Sequence, residues 1–421
     1  MYKEDINLCK EIAKIQKKYG WPKIIIASTA KNNQDRVIEA VKILNGALRF
    51  GISLQSTDEN VLNNIKRKNF SLETSKELVH QMDKLNKVSY SELILGLPGE
   101  TIETHLNSIK SVVEADISRI QMSPLLLLPG TEVESNKSRK LYELKTKFRI
   151  LPRCFSHYHV KDTSIPVAEI VEMAIENNKM SFEDYLYCKQ FQLSIELFYN
   201  DNYFLEIFGL LKNLKLSVFE FIKYCHELLP EYPEDLKNLY SGLVETVKNE
   251  LWDSRELLEK FVSEENNLNN YAEYEYKNSL ATIRAIGILS CTKSIHHIAR
   301  KALVNYIENS NINIDGINDY IDELIEFSLS RKDDIINENF ISIRVFHFDF
   351  EKIEQNNFTV NPFKFKLSKP VKIKFFHKKE QLEEIKYRYE QFDNKILGMR
   401  NILYHSLFVP VYYYFRSYIK L

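Results

Sequence analysis

The stretch Ser91–Thr101, SELILGLPGET, constrains the fold more than any other part of the chain. Its first half predicts a strand, because successive side chains would point to opposite faces and leucines would form one of them. Pro98 and Gly99 supply turn chemistry, since proline fixes its own φ and glycine accepts a positive φ. Thr101 is placed to cap a following helix. The stretch therefore predicts a buried strand, a tight turn and a helix.

Glu92 is unusual, because it places a carboxylate near the start of this apolar strand. Carboxylates are rarely buried without a partner. Glu92 is therefore either a solvated residue at the strand entrance or a ligand-binding group. A second polar face occurs on the predicted strand Ala47–Gln55, where Ser53 and Gln55 alternate with apolar residues. A small, polar face suits a cavity better than a packed core.

Predicted strands alternate with predicted helices up to residue 128, which indicates a parallel sheet with right-handed crossovers. The strands are Lys23–Ser28, Ala47–Gln55, the start of Ser91–Thr101, and Ser118–Leu128. This order predicts an α/β fold. A partial parallel (β/α) barrel would place ligands at its carboxyl-terminal mouth, and a doubly wound open sheet is the alternative. The chain has no G-x-G-x-x-G or P-loop motif to accompany the open sheet.

The chain changes character beyond residue 132. Phe148–His159 is predicted to be irregular, either as a substrate-facing loop or as a structural one. His157 and His159 have a spacing that can bind metal, but no cysteine or carboxylate stands at a recognised offset, and we predict no metal site.

The remaining chain is predicted to be mostly helical, with a small α+β part at the end. Amphipathic helices fill residues 181–330, and alternation in Phe340–His377 predicts two or three strands. From Gln381 to the end the pattern returns to helix. The predicted domains are residues 1–163, 164–335 and 336–421.

Composition excludes several classes of protein. The formal net charge of −1 over 421 residues gives no support to nucleic-acid binding through a basic surface. The five cysteines are far apart, as in a reduced, cytoplasmic compartment. The amino terminus lacks the apolar run of a signal peptide, and no apolar run is long enough to cross a membrane. We expect a cytoplasmic protein without nucleic-acid or membrane partners.

Several blocks together resemble the radical SAM enzymes, specifically the second half of their partial (β/α) barrel. The similarity is to the branch that often carries an amino-terminal cobalamin-binding domain. It covers residues 1–160 closely and the chain to about residue 210 more loosely. The blocks are GISLQSTD from Gly51, Val61-Leu62, Ile65-Lys66-Arg67, ELILGLPGET from Glu92, and LLLLPGTE from Leu125.

The resemblance implies an S-adenosylmethionine (SAM) site beside an iron–sulfur cluster, with cobalamin in members that carry its domain. Reductive cleavage of SAM then gives a radical that abstracts hydrogen from a substrate. Gln55 matches a contact to the ribose or methionyl part, and Glu92 matches the acceptor from the ribose hydroxyls. Arg67 matches the arginine that neutralises the methionyl carboxylate, although a cation serving only its helix dipole is the alternative. The other implied SAM-site residues are Ser53 beside Gln55, and Ile94, Ser123 and Leu125 in the adenine wall.

The chain departs from the family in one defining motif. It has no C-x-x-x-C-x-x-C loop to hold a cluster, and it lacks the first two barrel strands and a cobalamin-domain signature. It resembles a fragment, a split-gene product or a degenerate relative. Lys23–Ser28 would then be an edge strand, which predicts aggregation, self-association or a partner, such as an upstream polypeptide, that completes the sheet.

Two functions follow from these expectations. The first is a radical SAM enzyme, or its carboxyl-terminal portion, that modifies an unknown substrate. The second is a non-catalytic remnant or a binding subunit that needs a partner to supply the cluster.

Overall fold

A computed structural model describes residues 2–25, 27, 34–45, 47–48, 51–69, 76, 79, 89–161, 163–264, 266–392, 394–405 and 411–421. The fold in these residues is mixed α/β, as predicted. Its helices, in chain order, are α1 Asp5–Tyr19, α2 Gln34–Ile43, α3 Glu59–Asn64, α4 Ile102–Val113, α5 Asn136–Leu141, α6 Phe182–Phe198, α7 Leu205–Asn213, α8 Val218–Glu227, α9 Glu234–Asn249, α10 Arg255–Ser263, α11 Asn267–Asn278, α12 Leu280–Ser290, α13 Thr292–Asn309, α14 Ile317–Lys332, α15 Phe350–Gln355, α16 Lys379–Tyr389 and α17 Lys395–His405.

Within the described residues, the strands form three sheets. They are β1 Gly51–Gln55, β2 Tyr90–Leu95, β3 Arg119–Pro124, β4 Lys145–Val160, β5 Thr163–Glu176, β6 Ser342–Phe348, β7 Lys366–Phe376 and β8 Ser417–Lys420. Short 3-10 turns occur at Asn200–Asn202, Leu229–Glu231, Pro362–Phe365 and Val411–Tyr414.

The first sheet is parallel, with strand order β1-β2-β3. Burial alternates along β2, so that one face packs on helices and the other is open. Upstream, Ile25 pairs in parallel with Leu48, and its N–H donates to the carbonyl of Ala47 at 2.7 Å. The predicted strand Lys23–Ser28 therefore exists in part, and its positions 26 and 28 lie outside the described residues.

Side chains from the end of α6 and the turn after it cover the outer edge of β3. The amide of Asn200 accepts from the N–H of Ile120 at 2.8 Å and donates to its carbonyl at 3.0 Å. Gln192 Nε2 donates to the carbonyl of Met122 at 3.0 Å. These bonds satisfy backbone groups that an edge strand otherwise exposes.

The prediction of an irregular Phe148–His159 is wrong, because these residues lie within β4. β4 and β5 form a long antiparallel hairpin with a register shift between Ile150 and Phe155. Polar and apolar residues mix in this segment because much of the hairpin is exposed on both faces, so the alternation typical of a half-buried strand is missing. The hairpin runs across residue 163, a predicted domain boundary.

The hairpin is joined to the parallel sheet just after β3. The N–H of Leu125 donates to the carbonyl of Leu95, and the N–H of Ala174 donates to the carbonyl of Leu125, both at 2.9 Å. The N–H of Leu127 then donates to the backbone carbonyl of Glu172 at 2.9 Å. A segment that continues a parallel strand thus pairs antiparallel with β5.

Residues 182–332 are largely helical, as predicted, and the chain ends in an antiparallel sheet of order β6-β7-β8. The return to helix holds for α16 and α17, but the prediction of helix to the last residue is wrong. Ser417–Lys420 is a strand, and Phe375 pairs with Tyr418 across it. Phe327 of α14 stacks on Phe350 at 4.6 Å between ring centroids.

One apolar core cluster extends through the described residues from Ile6 to Phe415. It includes buried residues of the parallel sheet, the long helices and the last sheet. The domain boundaries predicted at residues 163 and 335 stay predictions. No helix in the described part of the chain is long and apolar enough to cross a membrane.

Candidate functional site

The turn after β2 is held by a buried carboxylate. Glu100 is fully buried, and its Oε2 accepts from the N–H groups of Gly96 at 2.7 Å and Leu97 at 3.2 Å. Gly99 has a φ of +78°, and a Cβ there would lie 2.8 Å from Asn64 Nδ2. The Pro-Gly turn is thus fixed by a residue within the same turn.

The helix after the turn begins with a reciprocal cap, as predicted at Thr101. Thr101 Oγ1 accepts from the N–H of Thr104 at 3.1 Å, and Thr104 Oγ1 accepts from the N–H of Thr101 at 2.9 Å. Inside α4, His105 Nδ1 lies 3.1 Å from Glu100 Oε1, and both side chains are fully buried. The strand, turn and helix therefore form a rigid support beside the open face of the sheet.

Three of the predicted residues meet on that open face. Ser53 and Glu92 are cross-strand partners, and Ser53 Oγ donates to Glu92 Oε2 at 2.8 Å. The Arg67 guanidinium donates through Nη2 to the carbonyl of Ser53 at 2.7 Å. A hydroxyl, a carboxylate and a guanidinium are thus gathered on one side of the sheet, and we call Ser53, Arg67 and Glu92 the open-face cluster.

The open-face cluster has unused binding capacity. Arg67 Nε is buried and has no hydrogen-bond partner. Burial lowers the pKa of Arg67, and the nearby charge of Glu92 opposes that shift. A buried donor without a partner is costly, so an anionic or polar ligand atom at this position would be stabilising.

Gln55 is not part of the cluster. A register shift between Ser53 and Gln55 places Gln55 opposite Leu93, and its φ is +64°. No hydrogen bond joins its side chain to Ser53, Arg67 or Glu92, all of which are described. Simple alternation along β1 does not reveal this bulge.

The predicted adenine wall is distributed over two environments. Ile94 pairs with Ser123, which is exposed on the open face. Leu125 is buried with Val61 and Leu97, and Ile94 packs against the same small cluster. The backbone N–H and carbonyl of Leu125 are already bonded to Leu95 and Ala174, so only its side chain contributes to such a wall.

A cavity of about 500 Å³ lies between β3, the hairpin and the helices α6, α9, α12 and α17. Among the predicted site residues, Ser123 lines it. Its apolar lining includes Met122, Leu243, Val247 and Leu280. A cavity of this size and composition is typical of a small-molecule site.

Two arginines and two carboxylates form a buried quartet at one wall of the cavity. Asp201 Oδ2 binds Arg119 Nη1 at 2.8 Å and Arg284 Nη2 at 2.7 Å. Glu196 Oε2 lies 3.3 Å from Arg284 Nε and 3.8 Å from Arg119 Nη2. Although burial opposes its charge, Asp201 and Glu196 hold the pKa of Arg119 above its usual value. The quartet is neutral as a whole.

Further cations line the cavity. Arg149 Nη1 binds Glu250 Oε2 at 3.2 Å, and Lys189 Nζ donates to Gln192 Oε1 at 2.6 Å. Burial lowers the pKa of Lys189 to about 8. Arg153 reaches the lining from the register shift in β4. Arg149 and Arg153 belong to Phe148–His159, for which the sequence left a substrate-facing or a structural loop open. Lys189, Glu250 and the quartet were not predicted, because they come from distant elements and share no local motif.

The cysteines do not fit an iron–sulfur cluster. Cys9, Cys188, Cys225 and Cys291 are buried in different helices or helix junctions, and Cys154 is exposed in β4. Burial raises the pKa of the Cys188 and Cys225 thiols, which opposes the thiolate form that binds iron. Within the described ranges, no group of three His, Cys, Asp or Glu side chains is placed to hold a metal ion.

The resemblance to the radical SAM superfamily, on its cobalamin-associated branch, is confirmed by two curated relatives. One is a 2-(S-pantetheinyl)-carbapenam-3-carboxylate methyltransferase of Streptantibioticus cattleyicolor, 32% identical over 205 residues, which are 47% of this chain and 29% of that protein. The other is the cobalamin-dependent radical SAM methyltransferase TokK of Streptomyces tokunonensis, 30% identical over 255 residues, which are 59% of this chain and 35% of TokK. The chain thus spans about a third of the length of these relatives. No family model matches it.

Proposed function

We propose that this chain supplies the SAM-binding part of a radical SAM methyltransferase. The observation that carries the proposal is the open-face cluster, in which Ser53 bonds both Glu92 and Arg67 while Arg67 Nε has no hydrogen-bond partner. The relatives named as methyltransferases support methyl transfer as the reaction served. On this proposal the parallel sheet is part of a (β/α) barrel.

The roles follow from the chemistry of each group. Glu92 would accept from the ribose hydroxyls of SAM, because a carboxylate can bind a vicinal diol. Arg67 would pair with the methionyl carboxylate through its free Nε, because a guanidinium matches a carboxylate in shape and charge. Ile94, Ser123 and the Leu125 side chain would contact adenine, and Gln55 would contact the ribose or the methionyl group from the bulge.

A direct binding measurement tests this proposal. Isothermal titration of SAM should give a weaker complex for Glu92→Ala, by about 1–3 kcal/mol, the scale for losing a charged hydrogen-bond partner. Glu103→Ala is the matched control, because Glu103 is an exposed carboxylate in the first turn of α4. Equal SAM affinity in Glu92→Ala and the wild type would overturn the assignment.

The second candidate function is a binding subunit that works with a cluster-bearing polypeptide. It is favoured by the cysteines, which are too dispersed to hold a cluster. Cobalamin dependence is named for TokK and is proposed for this chain only through that relationship. A cytoplasmic location is proposed from the dispersed cysteines.

Anaerobic reconstitution with iron and sulfide tests the second candidate. After reduction with SAM present, we expect neither a cluster signal in electron paramagnetic resonance nor 5′-deoxyadenosine from this chain alone. A cluster signal together with 5′-deoxyadenosine from the chain alone would contradict the binding-subunit function. Their appearance on adding a polypeptide that contains the C-x-x-x-C-x-x-C loop would support it.

A further inference from the structure

We propose that the cavity beside β3 binds a small molecule that carries a carboxylate or phosphate on an apolar body, with Lys189, Arg149 and Arg153 as the anion-binding groups. That this ligand is the substrate rests on the proposed function, whereas its binding involves only residues of this cavity.

The charges of the cavity do not balance. The quartet of Arg119, Arg284, Glu196 and Asp201 is neutral, and Arg149 is matched by Glu250. Lys189 is bonded to an amide oxygen rather than to a carboxylate. Among the residues that the structure describes, Arg153 has no ion-pair partner. The half-buried Lys189 and the exposed Arg153 are therefore left without a hydrogen-bonded carboxylate at a half-enclosed apolar space, where an anion is the natural counter-charge.

The same wall also has unused hydrogen-bond donors. Arg149 Nε is buried without a hydrogen-bond partner. The ammonium group of Lys189 has three donors and uses one of them on Gln192. Carboxylates and phosphates present several acceptor oxygens and can bind such converging donors at once.

The apolar part of the lining indicates that the rest of the ligand is apolar. Met122, Val247, Leu280 and Leu397 surround the space away from the cations. A ligand that is anionic throughout would leave this surface unpaired, whereas an anion with an apolar body would cover it. The exposed side chain of Ser123 belongs both to the open face and to this lining, so the cavity adjoins the proposed SAM site.

The environment of Lys189 also favours an anionic ligand. Burial and the nearby charge of Arg149 lower its pKa, Glu250 and Glu196 oppose the shift, and the net pKa is about 8. Burial keeps its neighbours Tyr185 and Cys188 neutral by raising their pKa values. Arg119, Arg153, Arg284 and Arg400 line the same space. An anion bound here would stabilise the charged form of Lys189 and raise its pKa.

Calorimetric titration of the full chain with four eight-carbon probes tests the proposal. Octanoate and octyl phosphate should bind, whereas octanol and octylamine should bind at least about ten-fold more weakly. Preference between the two anions identifies a carboxylate or a phosphate as the native group. Failure of both anions to bind, or equal binding of octanol, would overturn the proposal.

Variants separate a binding role of Lys189 from a structural one. Lys189→Met should weaken octanoate about ten-fold, and Lys189→Arg should keep most of the affinity because it keeps the charge. Lys179→Met is the control, since Lys179 is an exposed lysine outside the lining. Wild-type affinity should fall as the pH rises above 8, while that of Lys189→Arg should not. An unchanged affinity in Lys189→Met would refute the role of Lys189.

The test is independent of SAM. Octanoate binding is measured without SAM, and SAM binding is measured with Glu92→Ala. If Glu92→Ala binds SAM as tightly as the wild type while octanoate still binds, the proposed function is refuted and the anion site stands. If Glu92→Ala weakens SAM but octanoate does not bind, only the anion site is refuted.

Discussion

On the open face of the parallel sheet, one carboxylate and one guanidinium are both bonded to a single serine, and one guanidinium nitrogen has no partner. At the wall of the cavity, two guanidiniums share two carboxylates in a neutral quartet. The first arrangement leaves a donor for a ligand, whereas the second satisfies its own charges. The difference shows that a cluster of charged side chains indicates a ligand site only where a charge lacks a counter-charge or a donor lacks a hydrogen-bond partner.

This comparison predicts the largest effect at the quartet. Arg284 has 3% exposed side chain and binds both carboxylates. Arg284→Met should lower the free energy of unfolding by about 3–5 kcal/mol, because it leaves buried carboxylates uncompensated. Arg300→Met, which breaks an exposed pair with Asp322, should cost at most about 1 kcal/mol. Urea denaturation measures both, and a similar small loss in the two variants would show that the quartet is not structural.

The second-largest loss of stability is expected in the turn after β2, which holds the open face of the sheet in place. Glu100→Ala should lower the free energy of unfolding by about 1–3 kcal/mol, because two buried N–H donors of the turn lose their acceptor. Glu103→Ala, at an exposed position of the next helix, should stay within about 0.5 kcal/mol of the wild type. If the two variants unfold at the same denaturant concentration, the turn does not depend on its internal carboxylate.

The cavity wall predicts a pH dependence of stability through Lys189. The pKa of Lys189 is about 8 in the folded chain and near its ordinary value when unfolded, so between these values the unfolded chain binds more protons. Stability from this group therefore rises with pH above 8, by about 1 kcal/mol per pH unit.

Denaturation at pH 7 to 10 of the wild type and Lys189→Met isolates this contribution. Lys332, whose pKa burial also lowers to about 8, remains in both proteins. The difference between the two stability curves should increase from pH 8 upward. A constant difference would show that Lys189 keeps an ordinary pKa.

The smallest effect is expected at Ser53. Ser53→Ala removes the hydroxyl that donates to Glu92 but keeps the backbone carbonyl that accepts from Arg67. It should cost about 0.5–1.5 kcal/mol of unfolding free energy. Ser241→Ala, on the exposed side of α9, is the control and should change little. A loss at Ser53 as large as at Arg284 would remove the contrast between the two regions.

Sequence alone was sufficient for the strand, turn and cap around Thr101 because each depends on neighbouring residues. It also brought Ser53, Arg67 and Glu92 together, since strand alternation and a family resemblance both pointed to one face. It could not place Gln55, because a bulge is set by pairing geometry. It could not assemble the cavity either, since Arg119, Lys189 and Arg284 meet only through tertiary packing.

The hairpin β4–β5 shows a different reason for failure. Its residues lack clear alternation because both faces are exposed over much of its length. β8 was missed because the aromatic residues before it fit a helix as well as a turn, and its pairing partner β7 lies far away in sequence.

The aromatic contacts of α14 bear on how the chain can be divided for experiments. Phe327 packs on Phe346, Phe375 and Tyr418, with ring centroids 5.1–6.1 Å apart. Tyr320 packs on Phe348 at 4.9 Å. A shortened chain that stops at residue 335 would present these rings to solvent and recruit other apolar surfaces, so it would precipitate rather than refold. Expression of residues 1–335 without the last sheet is therefore a poor strategy, and a fragment for crystallisation should keep this sheet together with α14.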